Sequence, residues 1–141
     1  MIREAMVSDY EQIQYLCEYG LGYDCDKELV KMRLSNLDPD RECVFVAVSD
    51  GKVTGFIHVE KYELLYAPGM ANILGISVLN EFRRQGIGKR LLTAAEEWAK
   101  SREIHTMRLN SGGTRKEAHM FYRSLGYSNE KEQLRFIKEL L

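Results

Sequence analysis

The stretch Cys43-Val-Phe-Val-Ala-Val-Ser49, Asp50-Gly51, Val53-Thr-Gly-Phe-Ile-His-Val59 constrains the fold more than any other part of the chain. Two β-branched and aromatic runs flank Asp-Gly, a pair that tolerates the two positive φ angles of a type I′ turn. An isolated hairpin is marginal in water, so the remaining sequence has to supply further strands and a covering layer. A second strong pattern provides one. Ile87, Leu91, Leu92, Ala95, Trp98 and Ala99 fall on one face of a helix predicted over about 86–102.

Other elements follow from weaker signals. Ile2–Ala5 reads as an opening strand, and Ser8 followed by Glu11 has the capping-box spacing of a helix start. Ile13, Leu16 and Cys17 would line that helix, with Gly20 and Gly22 ending it. A second helix is expected over Asp26–Asn36 with Leu29, Met32 and Leu37 inward, stopping before Pro39. Residues 62–70, containing Pro68-Gly69, read as a loop, and Ala71–Val78 and Met107–Leu109 as strands. Ala118, Phe121, Tyr122 and Leu125 mark a last helix closed by Gly126, and Gln133–Leu140 reads as a closing strand. This order predicts an α/β (α+β) fold with a mixed sheet.

With 141 residues, 45% of them apolar and 29% charged, the chain suits a single globular domain over residues 1–141. A net charge of −1 lacks the basic excess of a dedicated nucleic-acid binder. No apolar run approaches a membrane span of about 20 residues, and the charged start MIREAMVSDY differs from a secretion signal. Cys17, Cys25 and Cys43 match neither a disulfide framework nor metal-ligand spacing. The expectation is a cytoplasmic chain that uses no metal, binds no nucleic acid and needs no membrane.

One segment carries most of the functional information. Between the strand ending at Val78 and the amphipathic helix lies Arg83-Arg84-Gln85-Gly86-Ile87-Gly88-Lys89-Arg90. Two glycines expose backbone amides, the helix start adds unpaired N–H groups, and four cations crowd the turn without an acid. The chemistry suits phosphate. The spacing is neither that of a Walker A loop nor that of the dinucleotide fingerprint, whose third glycine is replaced here by Leu91.

Arg83-x-x-Gly86-x-Gly88, preceded by Asn80-Glu81-Phe82 and followed by Leu91-Leu92, resembles the acetyl-CoA pyrophosphate loop of the GNAT acetyltransferases. Downstream, Arg115-x-x-Ala118-x-x-Phe121-Tyr122-x-x-Leu125-Gly126-Tyr127 is similar to the last helix of that family. The resemblance implies a mixed, mostly antiparallel sheet of six to seven strands flanked by about four helices. It also implies an N-acetyltransferase that uses acetyl-CoA as cosubstrate and a small-molecule amine as acceptor, with attack directly on the thioester. Two alternatives stay open: a non-catalytic acetyl-CoA-binding module, and an enzyme acting on proteins or peptides. A homodimer is also left open.

Carried over by position, the backbone N–H of Ile76 would hold the thioester oxyanion, and Ser77 and Val78 the pantetheine arm. Arg83, Arg84, Gln85, Gly86, Ile87, Gly88, Lys89 and Arg90 would surround the pyrophosphate. Tyr122 would protonate the departing thiolate, since a phenol stays protonated at neutral pH. Arg115 stands where relatives often have Asn, and would reach a CoA phosphate or an anionic acceptor. Ser111 could hydrogen-bond such an acceptor, and His119 could act as a base or touch the cofactor. The general base is unassigned, because the position that often carries Glu in the family is Gly75 here; Glu60, Glu63 and His58 are the candidates. The acceptor would meet residues 9–40, which hold eight acids against three bases together with Tyr10, Tyr15, Tyr19 and Tyr23.

Overall fold

A computed structural model describes residues 1–129 and 131–141, which divide into two compact units, Met1–Leu109 and Asn110–Leu141. The first unit is built on one sheet of five strands in the order β1-β2-β3-β4-β5. These are β1 (Ile2–Glu4), β2 (Glu42–Ser49), β3 (Lys52–Leu64), β4 (Ala67–Val78) and β5 (Met107–Leu109). The first four pair antiparallel and β5 joins β4 in parallel, giving the expected mixed sheet. Asp50 and Gly51 both take positive φ, 51° and 75°, as the type I′ turn between β2 and β3 requires.

Helices cover both faces of this sheet. Helix α3 (Ile87–Ser101) buries the six apolar residues its periodicity marks, with Leu91 and Ala95 fully enclosed against β2, β3 and β4. Complete burial of a leucine side chain contributes about 1.5–3 kcal/mol. On the other face lie α1 (Tyr10–Tyr15), a π-helical turn over Leu16–Gly20, and α2 (Lys27–Ser35). Ile13 and Leu16 there meet Val44, Val46, Val53 and Phe56 of the sheet.

Several expectations need correction. The sheet has five strands rather than six to seven, and Gln133–Leu140 forms no strand. Leu134, Phe136, Ile137 and Leu140 make the segment apolar enough for a strand, but a strand is defined by its ladder, and these side chains stay exposed. Residues 62–70 are the outer part of the β3–β4 hairpin and not a loop; only 65 and 66 form its turn. β2 pairs with β3 only as far as Glu60, so Pro68 sits in a two-stranded ribbon where a missing N–H is tolerated. On α2, Val30 and Leu34 pack inward with Leu37, while Leu29 and Met32 are about half exposed, 48% and 51%. The first helix is set by Asp9 and not by a Ser8 cap. The Asp9 carboxylate accepts the Met6 N–H at 2.7 Å and two Arg3 guanidinium bonds at 2.8 and 3.0 Å.

The second unit holds α4 (Lys116–Ser124), begun at Arg115 and closed by Gly126 at φ 92°. Two backbone bonds fasten that end: Gly126 N–H to Arg123 at 3.1 Å, and Tyr127 N–H to Tyr122 at 3.0 Å. No helix among the described residues is long and apolar enough to cross a membrane.

Candidate active site

Strand β4 presents an open edge. Its parallel ladder with β5 covers only Ala71–Ile73, paired with Met107–Leu109, and does not continue beyond Ile73. A bulge at Leu74 interrupts the β3 register at the same point, so that Ile73 faces Val59 but Gly75 faces His58. The direction of the following amides can be worked out. Leu79 donates to the Thr54 carbonyl at 2.8 Å on the β3 side. By alternation Ser77 and Gly75 also turn toward β3, whereas Ile76 and Val78 point their N–H and C=O groups to the open edge. Ile76 and Val78 are therefore the β4 residues whose main chain can bind a ligand. Ser77 instead fastens the strand: its Oγ donates to the Leu16 carbonyl at 3.2 Å in the π turn. The same packing leaves little room for a side chain at Gly20, because a Cβ there would collide with Ser77 Oγ.

The basic loop follows a short 3₁₀ turn over Asn80–Phe82. Arg84 and Gly86 adopt positive φ, 63° and 78°, and Gly86 is the N-cap of α3 without any side-chain cap. The first intrahelical bond runs from Arg90 N–H to Gly86 O at 3.0 Å, so the amides of Ile87, Gly88 and Lys89 have no intrahelical acceptor. Arg83, Arg84, Lys89 and Arg90 are exposed, and no ion pair is formed by any of them among the described residues. Uncapped amides, a positive helix end and four cations together fit a diphosphate.

A polar stripe crosses the sheet on the face that carries α1 and the π turn. Glu60 is buried, with one oxygen bonded to Arg41 at 2.7 Å and the other to Asn72 Nδ2 at 2.9 Å. Asn72 in turn accepts from Arg108 at 2.8 Å, and the Arg108 guanidinium lies 4.4 Å from the centre of the Tyr62 ring. Beside them His58 Nε2 meets Glu42 Oε1 at 2.8 Å. Burial pushes the Glu42 carboxyl up, but His58, the Asp38 N–H and Arg41 outweigh it and hold it below the usual range. Sequence reading missed Arg41, Glu42, Asn72 and Arg108. For Glu42, Asn72 and Arg108 the signal was polar side chains within strands, which buried strands rarely carry without partners; Arg41, exposed just before β2, gave none.

In the second unit Tyr122 is half buried between Phe121 and Tyr127, with ring centres at 5.4 and 6.2 Å. Burial raises its phenol above the ordinary value, and the Arg115 charge partly opposes this. His119 Nε2 bonds the Gly112 carbonyl at 2.8 Å, a local tie of the loop to α4. Ser111 Oγ is buried and has no hydrogen-bond partner among the described residues. Cys17, Cys25 and Cys43 are free thiols; burial pushes Cys17 up to about 11 and Cys43 to about 12, so both are unreactive at neutral pH.

Comparison with known proteins agrees with this arrangement. The acetyltransferase (GNAT) family model matches residues 4–127. The aminoalkylphosphonate N-acetyltransferase of Salmonella typhimurium is 33% identical over 144 residues, covering 99% of this chain and 90% of that protein. An uncharacterized N-acetyltransferase of Chlorobaculum tepidum is 30% identical over 135 residues, 93% of this chain and 77% of that one. Among solved structures, an aminoglycoside acetyltransferase from an uncultured soil metagenomic sample, in complex with trehalose, superposes with a TM-score of 0.81 at 26% identity. That match covers 100% of this chain and 96% of the other. The chain belongs to the GNAT acetyltransferase family, and is an N-acetyltransferase with acetyl-CoA as its cosubstrate.

Proposed function

We propose that the protein transfers the acetyl group of acetyl-CoA to a primary amine of a small molecule, and that residues 1–141 act as one catalytic domain. The single observation that carries the site assignment is the open edge of β4, where the Ile76 and Val78 amides face away from β3. Ile76 N–H is the oxyanion donor, and Ser77 and Val78 flank the pantetheine arm. Such a donor contributes about 2.7–4 kcal/mol to lowering the barrier. The amides of Arg84 to Lys89 take the pyrophosphate, with Arg83, Lys89, Arg90 and Arg115 as cations around it. Tyr122 supplies the proton to the leaving thiolate, and its raised phenol pKa keeps that proton in place at neutral pH.

The small-molecule acceptor is supported by relatives named for aminoalkylphosphonate and aminoglycoside acetylation. It is supported too by the surface of α1 and the π turn, where Tyr15, Tyr19 and Tyr23 are exposed beside Glu18 and Asp24. The Tyr15 and Tyr19 rings lie 4.6 Å apart and offer an aromatic face to a cation. The test is release of CoA thiol from acetyl-CoA across amines, polyamines, aminoglycosides, aminophosphonates and peptides. Turnover with one small-molecule class is expected. Turnover confined to peptides, or binding of acetyl-CoA with no transfer to any acceptor, overturns the reading.

A further inference from the structure

The amine must lose a proton as it attacks, and the β4 position that would supply a carboxylate is Gly75. We propose that His58, oriented by Glu42, is the general base; this rests on the acetyl-transfer site proposed above. Three observations converge on it. First, His58 is the register partner of Gly75, and Gly75 directly precedes the Ile76 amide. It is a hydrogen-bonded pair by the alternation set at Leu79, so the two Cα atoms stand about 5.5 Å apart. Second, the two nitrogens of an imidazole are distinct: Nε2 is held by Glu42 on β2, which leaves Nδ1 as the nitrogen able to take a proton. Third, the His58 side chain keeps 22% of its surface accessible while Glu42 keeps 10%: water reaches the ring, and the carboxylate behind it is sheltered.

The rival candidates are placed worse. Both oxygens of Glu60 are occupied by Arg41 and Asn72, and its register partner Asn72 lies on the far side of the bulge from Ile76. Ile76 is four residue steps along the strand from Asn72, about 13 Å of chain. Glu63 is further out along the β3–β4 hairpin. The charged and titratable groups on this face include Arg3 on β1 with its partner Asp9, Glu42 on β2 and Arg41 just before it, Glu60 and Tyr62 on β3, and Arg108 on β5. From the helical layer, the π turn contributes the Cys17 thiol, and Leu21 beyond it lies against Gly75.

The step balances without a further reactant. Neutral His58 takes one proton from the ammonium acceptor through water, with Nε2–H donated to Glu42 throughout. The freed nitrogen lone pair forms the N–C bond, the C–S bond breaks, and the thiolate takes a proton from Tyr122. The second proton lost by the amine nitrogen as the amide forms returns through water to the Tyr122 phenolate. The His58 proton then passes to solvent, so that one proton is released per acetyl group. Glu42 is a positioning residue: it fixes the tautomer and stabilises the imidazolium.

The experiment compares His58→Gln and Glu42→Gln with wild type for kcat, KM, the pH profile of kcat/KM, acetyl-CoA affinity and melting temperature. His58→Gln is expected to lower kcat about 10²–10⁴-fold and abolish the single-proton acid limb of the profile, with acetyl-CoA binding unchanged. Glu42→Gln is expected to lower kcat less and move the acid limb to lower pH, because the imidazolium loses its counter-charge. A His58→Gln enzyme with wild-type kcat and acid limb overturns the assignment while leaving the acetyl-transfer reading intact. If His58→Gln does not fold, an unmoved acid limb in Glu42→Gln overturns it instead. Wild-type protein that binds acetyl-CoA but acetylates no amine overturns both.

Discussion

Gly86 and Gly51 form a matched pair for testing the diphosphate loop. Both hold positive φ, 78° and 75°, and a Cβ built on either meets nothing within 4 Å. Alanine at each position therefore brings the same cost, a left-handed L-residue at about 1–2 kcal/mol, partly offset by reduced freedom of the unfolded chain. A net loss of about 1 kcal/mol corresponds to a fall of roughly 3–5 °C in melting temperature for a domain of this size. The two variants diverge in ligand binding. Gly51 sits in the β2–β3 turn and has no proposed contact of its own, whereas Gly86 is the N-cap whose neighbouring amides are proposed to face phosphate. Gly86→Ala is expected to weaken acetyl-CoA binding at least tenfold by calorimetry, about 1.4 kcal/mol, while Gly51→Ala leaves it unchanged. Equal affinities in both variants, at equal loss of stability, would refute the loop assignment.

Other expectations follow from single residues. Tyr122→Phe should lower kcat at least about tenfold with little change in KM, measured by thiol release, since it removes a proton donor and no packing volume. Leu91→Ala, at a site with no exposed surface, should cost about 2–5 kcal/mol in denaturant unfolding. For Asp9, the hydrogen bond from Arg3 is the main cause holding its carboxyl below the usual range. Its stabilisation is complete above the unfolded carboxylate value, about 3.9, and is lost as pH falls through the lowered folded value. The melting-temperature gap between wild type and Asp9→Asn should therefore be widest near neutral pH and close under strong acid.

What the sequence revealed followed local physics. The α3 stripe was legible because six apolar residues agree with one helical period, and the β2–β3 turn because Asp-Gly has few other uses. α2 was misread on its face: Val30 and Leu34 fit the same period as Leu29 and Met32, and only contact with the sheet chooses between them. Pro68-Gly69 looked like a loop because local turn chemistry cannot show that a partner strand stops short. The site was legible where it is local, at Arg83–Arg90. It was illegible where it depends on register: the Leu74 bulge brings His58 opposite Gly75, and Glu42 reaches His58 diagonally across two strands from 16 residues away.

The central claim concerns main-chain amides, which no side-chain substitution removes, so the most direct measurement observes them. In a ¹⁵N-resolved NMR titration with acetyl-CoA, the account predicts large shifts for Ile76 and Val78 and for Ile87, Gly88 and Lys89. Leu79, whose N–H is bonded to Thr54, should move least along this strand. Saturable binding that leaves the Ile76 amide unmoved, or shifts that cluster away from β4 and the α3 N-terminus, would contradict it.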